Sequence, residues 1–479
     1  MITFLICLSL LVTAYFVYGR YLERVCEVNA SAEVPSKRLY DGVDYLPMPL
    51  WKTFMIQLLN IAGVGPIFGA IMGACFGPVA FIWITLGGIF IGAMHDYISG
   101  IIITRNDGVS LPEVVGRYLG GGLRDFMRVM SLILLILVGV VFMRSPASIL
   151  SEMTPAIPYW WWVAIILVYY FVATMLPIDK LIGKIYPLFG AALLFMALGL
   201  AVMLFVGDYT IPELTFSTLR NFHTQADTMP IVPTLFISIA CGAISGFHAT
   251  QSPLMARCIN NEREGRASFY GAMISESIIA LIWAAVAMAF FGGVENLSAA
   301  LAEHGNNAAW AVNSISTTML GIVGGMLAML GVVAAPITSG DTAFRSARLI
   351  VADVFKIEQR SIPKRLAISL PLFAIGVVLL FVDFDVIWRY FAWFNQSMSV
   401  ITLWVIVVYL KEHRRNVWVA LPAAVFMTYI CTTFIFTSNQ FIGMGGTPLA
   451  YVLGGVITLV VTALMWSQIV VKRTKTFVK

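Results

Sequence analysis

Ionisable side chains occur at isolated points within long apolar stretches of this sequence. His95 and Asp96 are adjacent in GAMHDYISG, His248 follows a glycine-rich segment in SGFHATQSP, and Glu276 lies in AMISESIIA. Histidine exchanges protons near neutral pH, and a neutral carboxyl group costs less to bury than a charged one. This combination predicts proton or cation coupling by His248 and Glu276, with His95 and Asp96 serving as a gate or relay.

Each of these residues also has a structural interpretation. His95 and Asp96 could form a pair at a helix end that reaches the aqueous boundary or binds Arg105. Glu276 could pair with Arg266 or with a neighbouring helix end. A single histidine in an apolar segment is more often a satisfied structural residue. The residues alone leave both interpretations open.

Hydroxyl groups, a carboxylate and basic residues are concentrated in APITSGDTAFRSARL, residues 335–349. Hydroxyl and carboxylate oxygens are ligands for hard cations, so Thr338, Ser339 and Asp341 are further candidates for cation or proton coupling. Asp341 and Arg345 are four positions apart and could pair on a helix, which adds Arg345 to the candidate gate. The alternative is a cytoplasmic helix cap with Asp341 at a turn.

Two glycine-rich stretches, NIAGVGPIFGA at 60–70 and CGAISGFHATQSP at 241–253, interrupt apolar segments. Glycine and proline break helices, and backbone groups freed at mid-membrane are tolerated only where they line a cavity or meet a ligand. A half-helix starting near Pro66 would offer N–H groups to an anion, unless the glycines only allow close helix packing. Asn395 and Gln396 could likewise contact substrate or join two helices. The predicted substrate-binding residues are Asn60, Gly63, Gly65, Gly69, Ser245, Gly246, Gln251 and Asn395.

The elements that must position these residues are membrane-spanning helices. Hydrophobic residues make up 59% of the 479 residues and charged residues 11%, whereas soluble domains carry about 25% charged residues. The N-terminal segment lacks the features of a cleaved signal peptide and is predicted to be a retained helix. Each crossing needs roughly 20 apolar residues. The sequence therefore predicts an all-α polytopic membrane protein with about thirteen transmembrane helices, at 2–19, 52–76, 79–104, 127–145, 159–177, 185–207, 231–252, 269–291, 311–337, 366–383, 388–410, 417–436 and 446–470.

One boundary in this series has two placements. The ninth span could instead run from about 319 to 349, which would place residues 335–349 at mid-membrane and make 295–318 an external cap.

The distribution of basic residues predicts the orientation in the membrane. With thirteen spans, all of the 30 lysine and arginine residues except Arg144, Arg220 and Arg389 fall on one side. Cytoplasmic loops are enriched in lysine and arginine. We therefore predict an external N-terminus and a cytoplasmic C-terminus.

The two breaks open two sets of five spans, the second to sixth and the seventh to eleventh. An odd number of crossings inverts one set relative to the other, as in transporters with inverted repeats and discontinuous first helices. The predicted division is an N-terminal helix and cytoplasmic linker at 1–50, a first inverted repeat at 51–207, an external loop at 208–230, a second inverted repeat at 231–410, and two C-terminal helices with a basic tail at 411–479.

Motifs of other protein classes are missing from the sequence. GAISG around Ser245 is not the G-x-S-x-G pattern of a hydrolase, and neither HExxH nor a P-loop occurs. Most of the six cysteines lie in apolar runs and none forms a CxxC pair, which indicates small buried residues rather than metal ligands or disulfides. We expect no enzyme, no metal site, no cofactor and no nucleic-acid partner.

Five motifs in order resemble the carbon starvation protein A (CstA) family: NIAGVGPIFGAIMGACFGP, GAMHDYISG, SGFHATQSPLMAR, PITSGDTAFRSAR and RYFAWFNQ. The resemblance covers the chain from about residue 18 to at least residue 395, although the best-known members are much longer. It implies a bacterial inner-membrane secondary transporter of the amino acid–polyamine–organocation superfamily, with a LeuT-like core. It also implies a cation site between the first broken helix and the eighth core helix, near Thr338 and Ser339.

The resemblance implies uptake of pyruvate or short peptides during nutrient starvation, with proton symport as the coupling. We expect the substrate carboxylate to bind between Gly63 and Gly69, near Ser245, Gly246 and Gln251, while two helix bundles rock around it. The alternatives are sodium-coupled transport of amino acids or peptides, and a nutrient sensor or channel without active transport. The expected partners are a small anionic substrate, a proton or sodium ion and the lipid bilayer, with the oligomeric state left open.

Overall fold

The structure of the protein is a computed structural model. It describes residues 1–42, 45–175, 178–357 and 361–476, and within these it leaves out the side chains of 178–187, 323–324, 327–329, 385 and 469–476. The described residues form helices and connecting segments, with no β-strand among them. This confirms the prediction of an all-helical polytopic membrane protein.

Seventeen helices, numbered in chain order, carry the described part of the fold. Besides two short turns, Pro35–Arg38 and Val417–Val419, they are α1 Ile2–Val25, α2 Leu50–Ile61, α3 Gly65–Ala74, α4 Val79–Arg105, α5 Leu111–Leu119, α6 Gly121–Met153, α7 Tyr159–Met175, α8 Ile178–Val206, α9 at 231–238, α10 Gly246–Ala256, α11 Arg266–Phe290, α12 Val294–Glu303, α13 Ala308–Phe355, α14 Ile362–Leu379, α15 Phe384–Glu412, α16 Leu421–Thr437 and α17 Pro448–Thr476.

Nine helices in the described residues are long and apolar enough to cross a membrane, and ten if the bent pair α2–α3 counts as one span. The other three predicted spans fall on α7, which has only 17 residues, on the broken segment α9–α10, and on the long helix α13. The count of thirteen crossings and the inverted five-helix arrangement therefore stay predictions, as does the division into repeats.

Both predicted breaks are present. α2 ends at Ile61 and α3 begins at Gly65, with a bend of 58° between them. α9 ends at Ser238 and α10 begins at Gly246, after an extended residue at Ser245. The second interruption thus begins slightly earlier than the glycine pattern indicated. The two breaks are close together: a Cβ atom on Gly65 would lie only 2.4 Å from the Sγ atom of Cys241.

Residues 335–349 lie inside α13, which extends to Phe355. The helix therefore continues past residue 337, as the alternative placement through residue 349 requires, while the bounds of the membrane span stay a prediction. The one non-helical residue inside α13 is Gly321, with φ of 66°. Glycine adopts this left-handed conformation without the steric penalty of a Cβ atom, so the chain bends near the start of the alternative span.

The core is built around α10 and α11. α10 packs against α2, α4 and α15, and α11 packs against α1, α2, α3 and α4. α6 and α13 pack extensively together on another side, whereas α17 packs mainly on α16 and is largely exposed. The broken helices are thereby enclosed by continuous ones.

Glu213 ties α1 to the segment that follows α8. Its carboxylate accepts hydrogen bonds from the backbone N–H groups of Ile2 at 2.7 Å and Thr3 at 2.8 Å, and from the Thr3 hydroxyl at 2.5 Å. It also contacts the terminal amine of Met1. The first N–H groups of a helix have no partner within the helix. Glu213 therefore caps α1 from 210 residues farther along the chain.

Candidate functional site

Four ionisable residues from three helices meet in the interior. His95 and Asp96 lie on α4, His248 on α10 and Glu276 on α11, and all four side chains are fully buried. The Asp96 carboxylate lies 2.8 Å from Nδ1 of His95 and 2.8 Å from Nδ1 of His248. His248 Nε2 lies 3.3 Å from Oε2 of Glu276. Residues predicted separately as relay and coupling groups thus form one connected cluster, which consists of His95, Asp96, His248 and Glu276.

The hydrogen bonds define the role of each ring atom. An ionised carboxylate only accepts hydrogen bonds, so both Nδ1 atoms donate to an ionised Asp96. In a neutral His248, the lone pair of Nε2 then faces the Glu276 carboxylate, whereas a protonated His248 would form an ion pair with it. This contact is not an aligned hydrogen bond, and neither Glu276 oxygen has a hydrogen-bond partner among the described residues. Two facing acceptors form a gap that suits a cation.

Asn395 of α15 holds the start of α10. Its Oδ1 atom accepts hydrogen bonds from Ser245 Oγ at 3.0 Å and from the backbone N–H of Phe247 at 2.7 Å. Its Nδ2 atom lies 3.6 Å from Sγ of Cys241. Ser245, Gly246 and Asn395 are therefore brought together as predicted, but these contacts cap a half-helix and leave little of Asn395 free for substrate.

Cys241, His248 and Glu276 offer ligand atoms that all lie within 4.8 Å of one another. They are a thiol sulfur, an imidazole nitrogen and a carboxylate oxygen, and all three residues are buried. This is the group among the described residues that could hold a metal ion. The sequence pointed to His248 and Glu276 only, because Cys241 resembled an ordinary small buried residue.

The glycines of the first break pack closely against other parts of the chain. A Cβ atom would lie 2.4 Å from the ring of Phe142 at Gly63, 2.4 Å from Cys241 Sγ at Gly65 and 2.9 Å from the Ser238 carbonyl at Gly69. The space that a side chain would take is already filled by protein. In this conformation the three glycines act as predicted by the alternative interpretation, close helix packing.

Amide side chains beside the breaks have unused hydrogen-bonding capacity. Gln57 and Asn60 on α2 are buried, and neither side-chain amide has a partner among the described residues. Gln251 on α10 donates to Thr250, but its Oε1 atom has no such partner. α2 and α10 pack against each other. Gln57 was missed in the sequence because one amide in an apolar helix gives no distinctive pattern.

The hydroxyl-rich run of α13 contacts the first broken helix. Ser339 Oγ donates to the carbonyl of Leu59 at 2.7 Å and Thr338 Oγ1 to that of Ala335 at 2.7 Å. Asp341 accepts a hydrogen bond from Tyr169 at 3.0 Å. α13 therefore approaches the end of α2, where the resemblance implied a cation site.

Arg345, the third residue of the predicted gate, lies on α13, and its place beside His95 and Asp96 stays a prediction. Its guanidinium donates to the Ala173 carbonyl at 2.6 Å, because α13 presents it to the end of α7, whereas Asp96 lies on α4 and is satisfied by two histidines. Arg345 is nevertheless buried at 3% exposure.

A different ionic group lies at the end of α4. Arg105 forms two hydrogen bonds of 2.8 Å with the Glu262 carboxylate, one of 2.7 Å with the Tyr409 hydroxyl and one of 3.2 Å with the Glu27 carbonyl. We call these four residues the Arg105 network. The expected pairing of Arg105 with Asp96 does not occur, and Arg266 lies 3.3 Å from Glu23 rather than pairing with Glu276.

Two cavities open near the opposite end of α15. Their volumes are about 260 and 520 Å³, and they share Met72, Asn306 and Trp388 as lining residues. Trp388 is near the start of α15 and Tyr409 near its end. The cavities therefore lie near α3 at one end of the protein. The Arg105 network links the end of α4 to the end of α15 at the other.

The chain is similar to several proteins over most of its length. The family model for carbon starvation protein CstA matches residues 1–157 and 156–327. A membrane protein of Haemophilus influenzae is 43% identical over 350 residues, which is 63% of this chain and 94% of that protein. Two Escherichia coli relatives are named peptide transporter CstA, 28% identical, and pyruvate/proton symporter BtsT, 25% identical. These two matches span 58% and 57% of this chain, but only 48% and 47% of the relatives.

A solved structure supports the fold. The manganese transporter of Eremococcus coleocola superimposes with a TM-score of 0.55 at 11% sequence identity, covering 90% of this chain and 97% of that one. At such low identity the similarity concerns the fold alone. The family match extends over more than half of the chain, and its named members are transporters rather than enzymes. The chain is therefore a membrane transporter and belongs to the carbon starvation protein CstA family.

Proposed function

We propose that this transporter imports a small carboxylate, pyruvate or a short peptide, across the bacterial inner membrane together with protons. The observation that carries the proposal is the meeting of two broken helices at a buried cluster, in which Nε2 of His248 and both Glu276 oxygens lack hydrogen-bond partners among the described residues. Such breaks are tolerated in a membrane where they serve a binding site. The names of the Escherichia coli relatives support the two substrate classes and the proton.

The amide groups of Asn60, Gln57 and Gln251 are the proposed substrate contacts. A buried polar atom without a partner costs about 1–3 kcal/mol. A carboxylate would accept hydrogen bonds from Nδ2 of Asn60 and Nε2 of Gln57, whereas Oε1 of Gln251 would accept a hydrogen bond from a donor such as a peptide N–H. Ser245, Gly246 and Asn395 are proposed to hold the half-helix in place. Backbone groups at Gly63, Gly65 and Gly69 would become available only when α3 moves away from α9.

The gap between His248 and Glu276 is the proposed place of the coupling cation. Asp96 fixes the ring of His248 and connects it to His95, so a change at the gap reaches α4, α10 and α11 together. Thr338, Ser339 and Asp341 remain a second proposed cation site, since Ser339 links α13 to the end of α2. A sodium ion would favour such oxygen ligands.

The described conformation is closed at the Arg105 network and open at the two cavities. If the predicted orientation is right, the cavities face the outside and the Arg105 network faces the cytoplasm. Breaking the Arg105 network while α3 and α9 close over the cavities would expose the cluster to the cytoplasm. This is alternating access around a fixed central site.

Uptake of labelled pyruvate into proteoliposomes tests the proposal, with and without an inward proton gradient. We expect accumulation that a protonophore abolishes and that falls by about tenfold or more in Gln57→Leu, which removes a proposed donor to the carboxylate. Gln468→Leu, which alters an exposed amide near the end of α17, is the matched control and should transport normally. Gradient-independent equilibration would indicate a channel, and binding without flux a sensor.

Absence of pyruvate uptake by folded protein would contradict pyruvate as substrate. Di- and tripeptides under the same gradient then test the second substrate class. Accumulation driven by sodium but not by protons would replace the His248–Glu276 gap with the Ser339 region as the coupling site.

A further inference from the structure

We propose that Cys241, His248 and Glu276 form a binding site for a divalent transition metal of the zinc type. The metal would occupy the gap between the imidazole and the carboxylate and join the two broken segments. Binding of the metal does not depend on the proposed function, whereas its effect on transport does.

The distances suit a tetrahedral metal. Zinc lies about 2.0–2.1 Å from nitrogen and oxygen ligands, so two such ligands at tetrahedral angles are roughly 3.3 Å apart. His248 Nε2 and Glu276 Oε2 are 3.3 Å apart. A zinc–sulfur bond of about 2.3 Å needs the thiol at roughly 3.6 Å from the other ligands, and Cys241 Sγ lies within 4.8 Å of both. A displacement of the Cys241 sulfur by up to about 1.2 Å would bring it to this distance from the other two ligand atoms.

The surroundings also match those of a metal site. A metal-bound histidine usually donates its other ring N–H to a carboxylate, and Asp96 accepts that hydrogen bond from Nδ1 of His248 at 2.8 Å. The lone pair of Nε2 is thereby directed at Glu276. Three protein ligands leave a fourth position open, as in zinc sites that exchange a water or another ligand.

The ligand atoms are available. Nε2 of His248 and both carboxylate oxygens of Glu276 are buried without hydrogen-bond partners among the described residues. Cys241 Sγ makes weak hydrogen bonds, at 3.7 Å to Ser245 Oγ and at 3.6 Å to Asn395 Nδ2, which a metal bond would replace. A cation at the gap would therefore satisfy atoms that the protein itself leaves unsatisfied.

The ligand set determines which metals bind. A thiolate and an imidazole favour Zn²⁺, Co²⁺ and Cd²⁺, whereas Mg²⁺ and Mn²⁺ prefer oxygen ligands. A metal held by α9–α10 on one side and α11 on the other would fix the cluster in one conformation. Zn²⁺ is therefore expected to inhibit transport rather than to support it.

The test uses the full chain, purified in detergent and freed of metal with a chelator. Titration with Zn²⁺ should show one site per chain, and Co²⁺ should give a thiolate-to-cobalt charge-transfer band. Cys241→Ser should abolish that band, and Glu276→Gln should weaken Zn²⁺ binding by about tenfold or more. Asp96→Asn should weaken it by roughly 10–100-fold, the usual effect of losing a residue that orients a metal ligand. Cys431→Ser, at a buried cysteine of α16, is the matched control and should keep the band.

Three results would overturn the inference: wild-type protein without a charge-transfer band, a band that survives Cys241→Ser, or Mn²⁺ binding as tight as Zn²⁺ binding. Thermal unfolding of each variant shows whether it is folded, and the wild-type titration decides the matter even if Cys241→Ser fails to fold. Zinc binding without any pyruvate uptake would sustain this inference and contradict the proposed function. Proton-driven uptake in a protein that binds no Zn²⁺ would do the reverse.

Discussion

At the residue scale, the close approach of the two breaks depends on the absence of a side chain at Gly65. A Cβ atom on Gly65 would lie 2.4 Å from Sγ and 2.5 Å from Cβ of Cys241. Both residues are buried, so neither can turn toward solvent. The closeness of α3 to the segment before α10 is therefore set by this pair.

Gly65→Ala should lower the thermal unfolding temperature and reduce uptake, because overpacking a filled site costs about 1–3 kcal/mol. Cys241→Gly removes both the sulfur and the Cβ atom that the new methyl group would meet, so the double variant should regain part of the lost stability. Gly122→Ala is the control, since a Cβ atom there meets nothing within 4 Å. Wild-type stability of Gly65→Ala would show that the crossing is looser than described.

Much of the cluster could be predicted at this scale, but its connections could not. Charged or titratable residues in apolar runs are costly, so His95, Asp96, His248 and Glu276 stand out in the sequence. The bridging of Asp96 and Glu276 by His248 depends on the relative positions of three helices. Cys241 gave no signal of its own, because cysteine is common among small buried residues.

At the element scale, α1 depends on a cap that is far away in the sequence. Glu213 lies in the segment after α8, outside the apolar helices. Slight burial raises its pKa, but hydrogen bonds from the terminal amine and from Thr3 outweigh this and hold the pKa of Glu213 at about 2, against an ordinary value of 4.5. The carboxylate therefore remains charged to low pH.

Glu213→Gln should lower the unfolding temperature at neutral pH, and the difference from wild type should depend on pH. A carboxyl whose pKa is depressed in the folded state stabilises it above the unfolded pKa and loses that effect as pH falls. The difference should thus be constant above pH 4.5 and vanish as pH approaches 2. Unfolding scans in detergent at several pH values measure it. Glu295→Gln, at an exposed acid of α12, is the control. An equal effect of both variants would contradict the cap.

Elements were predictable where composition alone determines them. The glycines and the proline at 60–70 predicted the end of one half-helix and the start of another, and the structure has both. The long helix α13 was ambiguous, because its polar run reads equally as a helix end or as a buried helix face. The Ser339 hydroxyl bonds to a carbonyl 280 positions earlier in the chain, and a local pattern cannot contain such a contact.

At the scale of the whole molecule, the two ends differ. One end holds the two cavities that share Trp388, and the other is joined by the Arg105 network and by Arg415 with Glu27. Cys26 lies beneath this network, 1% exposed. Burial raises the pKa of Cys26 to about 12, so its thiol is protonated and unreactive while this end is closed.

Glu262→Gln should speed alkylation of Cys26 by a maleimide by about tenfold or more. Hydrogen bonds between charged groups contribute about 1.5–3 kcal/mol, and their loss shifts the population toward molecules that are open at this end. Peptide-resolved mass spectrometry follows Cys26 separately from the other cysteines. Glu264→Gln alters a neighbouring acid that bonds Asn260 and not Arg105, so it should leave the rate unchanged. Equal rates in wild type and Glu262→Gln would mean that the Arg105 network does not hold this end closed.

The class of the molecule followed from composition, whereas its sidedness still rests on the distribution of basic residues. Low charge and high hydrophobicity require many buried helices, and the structure has them. The number of crossings does not follow from composition, because α9 and α10 are each too short to span a membrane alone. Their pairing with α2 and α3 depends on contacts between Gly65 and Cys241, which lie far apart in the chain.

The cap on α1 has a consequence for the order of events during biosynthesis. α1 emerges from the ribosome before the carboxylate that completes its first turn, which is 210 residues behind it. At about 5–20 residues per second, the ribosome needs roughly 10 to 40 s to reach Glu213. During that interval the first N–H groups of α1 lack their carboxylate partner, while the helices up to α8 are inserted into the membrane. Substitutions at Glu213 or Thr3 would then prolong this exposed period and reduce the yield of inserted protein more than the stability of molecules already folded.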